Sequence, residues 1–348
     1  MVMATVKIVI LNWNGEEHLH TFLPSVVEHT PPQAAIVVID NGSTDGSLAW
    51  LAATYPAIEV IALPENYGFT GGYNRALEMV EADYFVLLNS DVEATPGWLE
   101  PLVVVLDTQE DVAAVSPKLK LYADKRWFEY AGACGGFIDW LGYPFCRGRV
   151  LSSLEQDKGQ YDTPRDTFWT SGACMLVRSA VFRELGGFDE KFFAHMEEID
   201  LCWRMHLAGY RTMVEPRSVV YHLGGGTLPN NTPRKLYLNY RNNLAMIYKN
   251  APERWRRRTL LMRMVLDALS AMVYFATGHF DFGRTVFRAH AEFLRWKPGL
   301  RAQRAQLREL YCKGGESEAT RRILRSTVYG GSIVARYFLG LRRFGKLL

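Results

Sequence analysis

Three short apolar, β-branched runs open the chain, VKIVIL (6–11), AIVVID (35–40) and IEVIAL (58–63), and a fourth, YFVLLN (84–89), follows them. Near-continuous apolar runs of this length read as parallel strands buried on both faces. Helix-like segments at roughly 16–28, 45–54 and 70–82 separate them. Strands alternating with helices predict an open α/β sheet covered on both sides, and in such sheets ligands bind beyond the carboxyl ends of the strands. The polar residues that end each strand are therefore the first to examine: Asn12 and Asn14, Asp40, Asn66, and Asn89 with Asp91.

From about 112 to 230 the pattern loosens. Strand-like pieces such as TFWTSGACMLVRS (167–179) and RSVVYH (217–222) mix with Gly- and aromatic-rich loops, and a helix from about 197 to 208 lies between them. From 234 onward the chain reads helical, over 253–276, 281–296, 299–312 and 318–345. There is no internal repeat and no low-complexity linker. Composition supports one boundary, near 232–250, dividing the chain into 1–250 and 251–348.

Charge sharpens that division. The 348 residues carry a net charge of only +3, but residues 1–250 hold 20 Lys/Arg against 30 Asp/Glu, and residues 251–348 hold 20 against 7. A basic module attached to a mildly acidic body predicts an anionic surface as the partner of the tail. The five cysteines are scattered and form no CxxC pair, which fits reduced thiols in the cytoplasm better than disulfides or a zinc site. The first residues carry no signal-peptide cleavage pattern. The best candidate for a membrane span, 259–278, is interrupted by Arg263 and Asp267, so a helix on a surface or in a core is expected there.

Four stretches offer chemistry. VIDNGSTDGS (38–47) places Asp40 at a strand end, where its carboxylate can reach a nucleobase or ribose; a plain strand–turn–helix joint would use the same residues. NYGFTGGYN (66–74) is a Gly-rich turn entering a helix, open to a phosphate or sugar, though it is neither a P-loop nor a dinucleotide fingerprint. LLNSDVE (87–93) ends an apolar strand in Asn89-Ser90-Asp91, an oxygen pair spaced to hold a hard divalent cation, or simply an Asx-turn. His222 ends a strand before LGGGT, which reads as a flexible turn.

The fourth stretch is FFAHMEEIDLCWR (192–204), which crowds Glu197, Glu198 and Asp200 beside His195. Acidic residues suit the first turn of a helix, and Asp200 and Arg204 are spaced to pair. Adjacent residues do not share a helix face, so one of Glu197 and Glu198 is expected to face a cleft while the other serves the helix. His195 acquires no role.

Together, VILNWNG, VIDNGSTDGS, NYGFTGGYN, LLNSDVE, WTSGACMLVR, LGGFDE, MEEIDLCWR and VVYH resemble, in order and over about residues 5–250, the family 2 glycosyltransferases of the GT-A fold. Similarity is greatest to bacterial rhamnosyltransferases and other cell-surface polysaccharide enzymes. The resemblance implies a nucleotide-diphospho-sugar transferase fold with a Rossmann-like mixed sheet, followed by the basic helical region. It implies a donor pocket formed by Asn14, Asp40, Asn66, Gly71, Asn74, Asn89 and Asp91. Asp91 and His222 would hold Mg2+ or Mn2+, with the imidazole favouring Mn2+. Trp169, Gly172, Glu197 and Asp200 would lie on the acceptor side, and Glu198 would be the catalytic base. Asn89 stands where the family carries the first carboxylate of its DxD pair, and the base is Glu where Asp is common.

The implied activity is inverting transfer of a hexosyl unit, rhamnose for instance, from a dTDP- or UDP-linked donor to a hydroxyl of a glycan or lipid-diphosphate-linked acceptor. Such an enzyme would serve cell-envelope polysaccharide synthesis at the inner face of the bacterial cytoplasmic membrane. The tail would seat on anionic lipid, pack on the catalytic part or form a homodimer. The rival is a non-catalytic protein that binds nucleotide sugars or an anionic surface. Nucleic acid is not expected as a partner, because no HTH, RRM or zinc signature is present.

Overall fold

Runs that are apolar on both faces belong in the middle of a sheet. They occupy that place in the computed structural model, which describes residues 4–224 and 232–346. Val6–Asn12 pairs in parallel with Ala34–Asn41 on one side and with Tyr84–Asn89 on the other, and Glu59–Leu63 adds an exposed edge. The register sets Asn12 opposite Asp40 and Leu11 opposite Asn89, so neighbouring strands deliver their polar ends to one rim of the sheet. The helix Glu16–Glu28 covers one face through Leu19, Phe22, Leu23 and Val26, the spacing of a single apolar stripe.

Past Tyr84–Asn89 the sheet becomes mixed. Cys174–Arg178 runs antiparallel to it, followed by Val112–Leu121 and Arg211–His222, which pair in parallel with each other. The short strand Val92–Ala94 pairs antiparallel with the end of Arg211–His222 and sets His222 opposite Val92. That pairing brings His222 beside Asp91 across more than a hundred residues of chain. The glycines expected as a flexible turn after His222 lie, from Gly225 onward, outside the described residues.

Helical expectations after residue 280 need correcting. Phe280–Tyr311 is one helix that carries Pro298 at an exposed position, not two helices. The expected helix 318–345 is instead Glu318–Thr327 and Ile333–Phe338, separated by a strand, Val328–Tyr329, and by Gly330-Gly331. That strand pairs with Gly136–Asp139 and completes a second, five-stranded sheet. Phe344 packs among Phe137, Phe145 and Tyr161. The basic region therefore contributes to one continuous core with the sheet domain.

The helix Pro233–Asn250 joins the two parts. Lys249 and Asn250, at its end, both reach the fully buried Asp200, at 2.9 and 2.7 Å, and Arg204 completes the cluster at 2.9 Å. Arg204 also donates to the carbonyls of Leu185 and Gly187, so the cluster ties three chain segments together. Removing one partner of a buried ion cluster strands the others. Asp200→Ala should lower unfolding free energy by about 3–5 kcal/mol, measured by urea denaturation. A loss below about 1 kcal/mol, the level of an exposed pair, would show that the cluster holds nothing together.

Candidate active site

The polar strand ends, the start of the helix Glu197–Leu207 and the start of Pro233–Asn250 enclose a cavity of about 400 Å³. Asn66, Asn89, Asp91, Gly172, Glu197, Glu198 and His222 line it, as do Trp13, Asn41, Gly68, His195, Arg234 and Lys235.

Asp91 and His222 form its polar floor. His222 Nε2 lies 3.1 Å from Asp91 Oδ1, and its Nδ1 lies 3.3 Å from Oε1 of Glu129, which is itself buried and accepts the backbone N–H of Ala131. Burial opposes a charge on the imidazole, but Glu129 and Asp91 together outweigh it and raise the His222 pKa to about 10. For Asp91, burial pushes the pKa up, and the imidazolium more than offsets that, holding the carboxyl below its ordinary range. Asn89 is a looser neighbour, with Nδ2 3.5 Å from His222 Nε2.

The opposite wall is unusual in its backbone. Phe193, His195 and Met196 all have positive φ, 66°, 70° and 70°, which costs energy for side chains larger than glycine. Neighbours hold the loop in place. The Asn242 side-chain nitrogen lies within 3.0 Å of the carbonyls of Phe192, Ala194 and His195, and Arg241 donates to those of Lys191 and Phe192. The amide of Phe69 donates to the Phe193 carbonyl at 2.8 Å. The loop ends at the first residue of Glu197–Leu207, and Glu197 and Glu198 both line the cavity. This corrects the expectation that only one would do so: at the tip of a helix, first-turn side chains project past the end and are not sorted by face.

Among the described residues no cation pairs with either glutamate. The Oε2 atoms of both, and Nε2 of His195, have no hydrogen-bonding partner among the described residues. Burial raises the Glu198 pKa to about 7, and burial together with the neighbouring Glu198 raises that of Glu197 well above the ordinary value. Burial, aided by the charge of Lys235, lowers His195 to about 4, which leaves a neutral imidazole in the wall. Glu198 lies close to Gly172: a Cβ at Gly172 would touch Glu198 Cβ at 3.8 Å and the Phe69 ring at 3.7 Å.

The structure gives the other expected site residues these surroundings. Asp40 is buried, accepts from Asn12 at 3.2 Å and from the Ser43 amide at 3.0 Å, and lies outside the cavity wall. Asn14 accepts the Thr44 amide at 2.7 Å and ties two loops together. Gly71 is buried in its helix, where a Cβ would stand 2.9 Å from Tyr67 and Arg75, and of the glycines in that stretch it is Gly68 that lines the cavity. Asn74 grips both backbone groups of Phe188 and faces a separate cavity. Trp169 is a core residue that donates to the Phe137 carbonyl at 3.0 Å and fills the space over Gly136. Asp200 belongs to the ion cluster described above. Trp13, Glu129, Arg234 and Lys235 were not expected. An exposed Trp directly after a strand and a Glu in an aromatic stretch, WFEYAG, are the faint local signals for the first two.

A family model described as "Glycosyl transferase family 2" matches residues 7–186. The chain belongs to that family. It is 25% identical over 288 residues to the N-acetylglucosaminyl-diphospho-decaprenol L-rhamnosyltransferase of Mycobacterium tuberculosis, covering 76% of this chain and 93% of the relative. It is 29% identical over 192 residues to the pre-mycofactocin glycosyltransferase of the same species, covering 54% and 37%. Among solved structures, GalNAc-T7 with UDP, GalNAc and Mn2+ superposes with a TM-score of 0.56 at 17% identity, over 71% of this chain and 48% of that one. The mannosyltransferase PcManGT of Pyrobaculum calidifontis, with GDP-Man and Mn2+, gives 0.50 at 15% identity, over 84% and 88%. The fold of this family 2 glycosyltransferase is thus GT-A, with a helical C-terminal region.

The raised pKa of His222 has a consequence for stability. A histidine whose folded pKa lies above its ordinary 6.5 stabilises the fold fully below that value and loses the contribution as pH rises through about 10. In chelator-treated protein, the stability gap between wild type and His222→Gln should be widest below pH 6.5 and close toward pH 10, read by thermal unfolding across pH. A gap that does not change with pH would break the assignment of His222 as the cation between Asp91 and Glu129.

Proposed function

We propose that this glycosyltransferase inverts: it transfers a sugar, rhamnose on the strength of the decaprenol-linked relative, from a dTDP- or UDP-linked donor to a hydroxyl of a polyprenyl-diphosphate-linked acceptor. The place of action would be the cytoplasmic face of the membrane, in envelope polysaccharide synthesis. The observation that carries the reading is Glu198, a carboxylate with no paired cation among the described residues and a pKa near 7, in the same cavity as Asp91 and His222.

The residues divide the work by chemistry. Trp13, 41% exposed at a strand end, offers its ring to the donor base, and Asn66 lines the same cavity. Gly68 lets the backbone approach the donor closely. Arg234 and Lys235, at the positive end of an 18-residue helix, face the charge that develops on the departing diphosphate. Glu198 takes the proton from the acceptor hydroxyl as that oxygen attacks the anomeric carbon, and the nucleoside diphosphate leaves from the opposite side. Burial and the neighbouring Glu198 favour the neutral form of Glu197, which can donate a hydrogen bond to the acceptor.

A divalent cation would suit the floor of the site by taking the place of the proton on His222 Nε2, which faces Asp91. The Asp91 carboxylate and His222 imidazole converge with the Asn89 amide beside them, an oxygen–nitrogen set that diphosphate oxygens would complete. Among the described residues no three acidic, His or Cys side chains gather to hold a metal by themselves, which fits a cation arriving with the donor. When bound, it would neutralise the diphosphate.

Glu198→Gln should leave affinity for the nucleoside diphosphate within about twofold while lowering turnover about 10²–10⁴-fold, measured by calorimetry and by donor consumption. Turnover within a few-fold of wild type would remove Glu198 as the base. Because the base works ionised, wild-type turnover should rise with pH through about 7, the pKa of Glu198, and level off above it. A pH profile flat from 5.5 to 8.5 would remove it as well.

A further inference from the structure

The helix Glu253–Ala276 has its polarity reversed. Its buried side carries Thr259, Arg263, Asp267 and Ala271. Arg263 pairs with Asp267 at 3.0 Å and lies over the Tyr143 ring at 3.6 Å, and Asp267 also faces His290 at 3.3 Å. Thr259 donates to the Trp140 carbonyl at 3.2 Å, and Ser270 meets the Tyr240 hydroxyl at 2.7 Å. The outward side shows Leu261, Val265, Leu269, Met272 and Val273, each roughly half exposed or more, at spacings that form one stripe. Phe280, 55% exposed, extends the stripe onto the next helix. No charged residue interrupts the outward side from Leu261 to Ala276. A helix in water ordinarily has the opposite arrangement.

Basic residues frame the stripe. Residues 251–300 hold nine Arg/Lys against four Asp/Glu, and Arg254, Arg257, Arg258, Arg284 and Arg295 are exposed. A second copy of the chain seated on the stripe would bring these like charges together, whereas an anionic bilayer pairs them and takes the apolar side chains into its surface. The helix is long and apolar enough to cross a membrane. Crossing would strip Arg263, Asp267, Thr259 and Ser270 of their partners outside the helix, Tyr143, His290, Trp140 and Tyr240, so the geometry favours lying flat.

The stripe also ends where the chemistry begins. Pro233–Asn250 and Glu253–Ala276 are joined by a short turn and run antiparallel, with Tyr240 opposite Ser270. Five residues back from Tyr240 is Lys235 in the cavity wall, and three to six residues on from Ser270 are Val273 and Ala276. At about 1.5 Å per residue the two points are level to within a few ångströms.

We propose that the outward face of Glu253–Ala276 and Phe280 is a docking surface for an anionic lipid bilayer. Docked there, the protein sets the Arg234–Lys235 side of its cavity at the level of the membrane surface, where the diphosphate of a lipid-anchored acceptor lies. The placement of the acceptor rests on the function proposed above; the docking does not. The test is flotation of the full chain with phosphatidylcholine vesicles, with and without about one third phosphatidylglycerol. Wild type should float with the anionic vesicles, and Leu269→Glu/Val273→Glu should bind at least about tenfold more weakly. Both substituted positions are exposed, so the double variant should keep the wild-type melting temperature and its transfer rate to a short-chain, water-soluble acceptor. Equal flotation of the two proteins, or no flotation of wild type, overturns the proposal. A concentration-dependent dimer in ultracentrifugation that the double variant abolishes would assign the stripe to a second copy and overturn it too. Normal flotation without transfer to any polyprenyl-diphosphate acceptor would leave the docking standing and remove the acceptor reading.

Discussion

The site depends on how cations are divided among three carboxylates within four residues. Arg204, Lys249 and Asn250 all converge on Asp200, and none reaches Glu197 or Glu198. A helix start with three acids could have been balanced evenly. Here one acid anchors the structure and the other two stay buried with no counter-charge among the described residues, and burial raises their proton affinity. The helix that supplies Lys249 and Asn250 at one end supplies Arg234 and Lys235 to the cavity at the other, and from its middle Asn242 restrains the strained loop ahead of Glu197. Anchoring, strain and electrostatics all pass through Pro233–Asn250.

The sheet makes a comparable division. Parallel register brings Asn12, Asp40 and Asn89 to one rim, and the fold then buries Asp40 against Asn12 and Ser43 while Asn89 stays on the surface of the cavity. Strand ends in such sheets hold both the residues that touch a ligand and those that shape the loops doing so.

The parallel strands were legible because nothing polar interrupts them, and the helix at 197 because acids and Arg204 mark its ends. Val112–Leu121 was not, since Pro117, Lys118 and Lys120 break its pattern. Lys118 and Lys120 are matched by Asp157, nearly forty residues away, which no local pattern records. The helix expected over 318–345 failed at Gly330-Gly331, where the preceding residues found a strand partner in Gly136–Asp139, again distant in sequence. Within the site, motif positions on strand ends were legible. Trp169 and Gly172 looked equivalent in WTSGACMLVR, but three residues separate a core-facing ring from a cavity-lining backbone. Arg234 and Lys235 reach the cavity, and Glu129 reaches His222, only by tertiary packing, and none of the three belongs to a motif.

The same physical logic explains why Arg263 and Asp267 are tolerated in a helix that otherwise suits a membrane. A buried ion pair seldom stabilises a fold more than apolar side chains of the same volume would. Its value here is orientation: with Tyr143 and His290 as partners, and with the Ser270–Tyr240 hydrogen bond beside it, the pair fixes which side of Glu253–Ala276 faces the protein. An all-apolar helix could rotate about its axis or slide at little cost. With the pair in place, the outward stripe and the cavity keep one fixed relation, which the proposed docking would require.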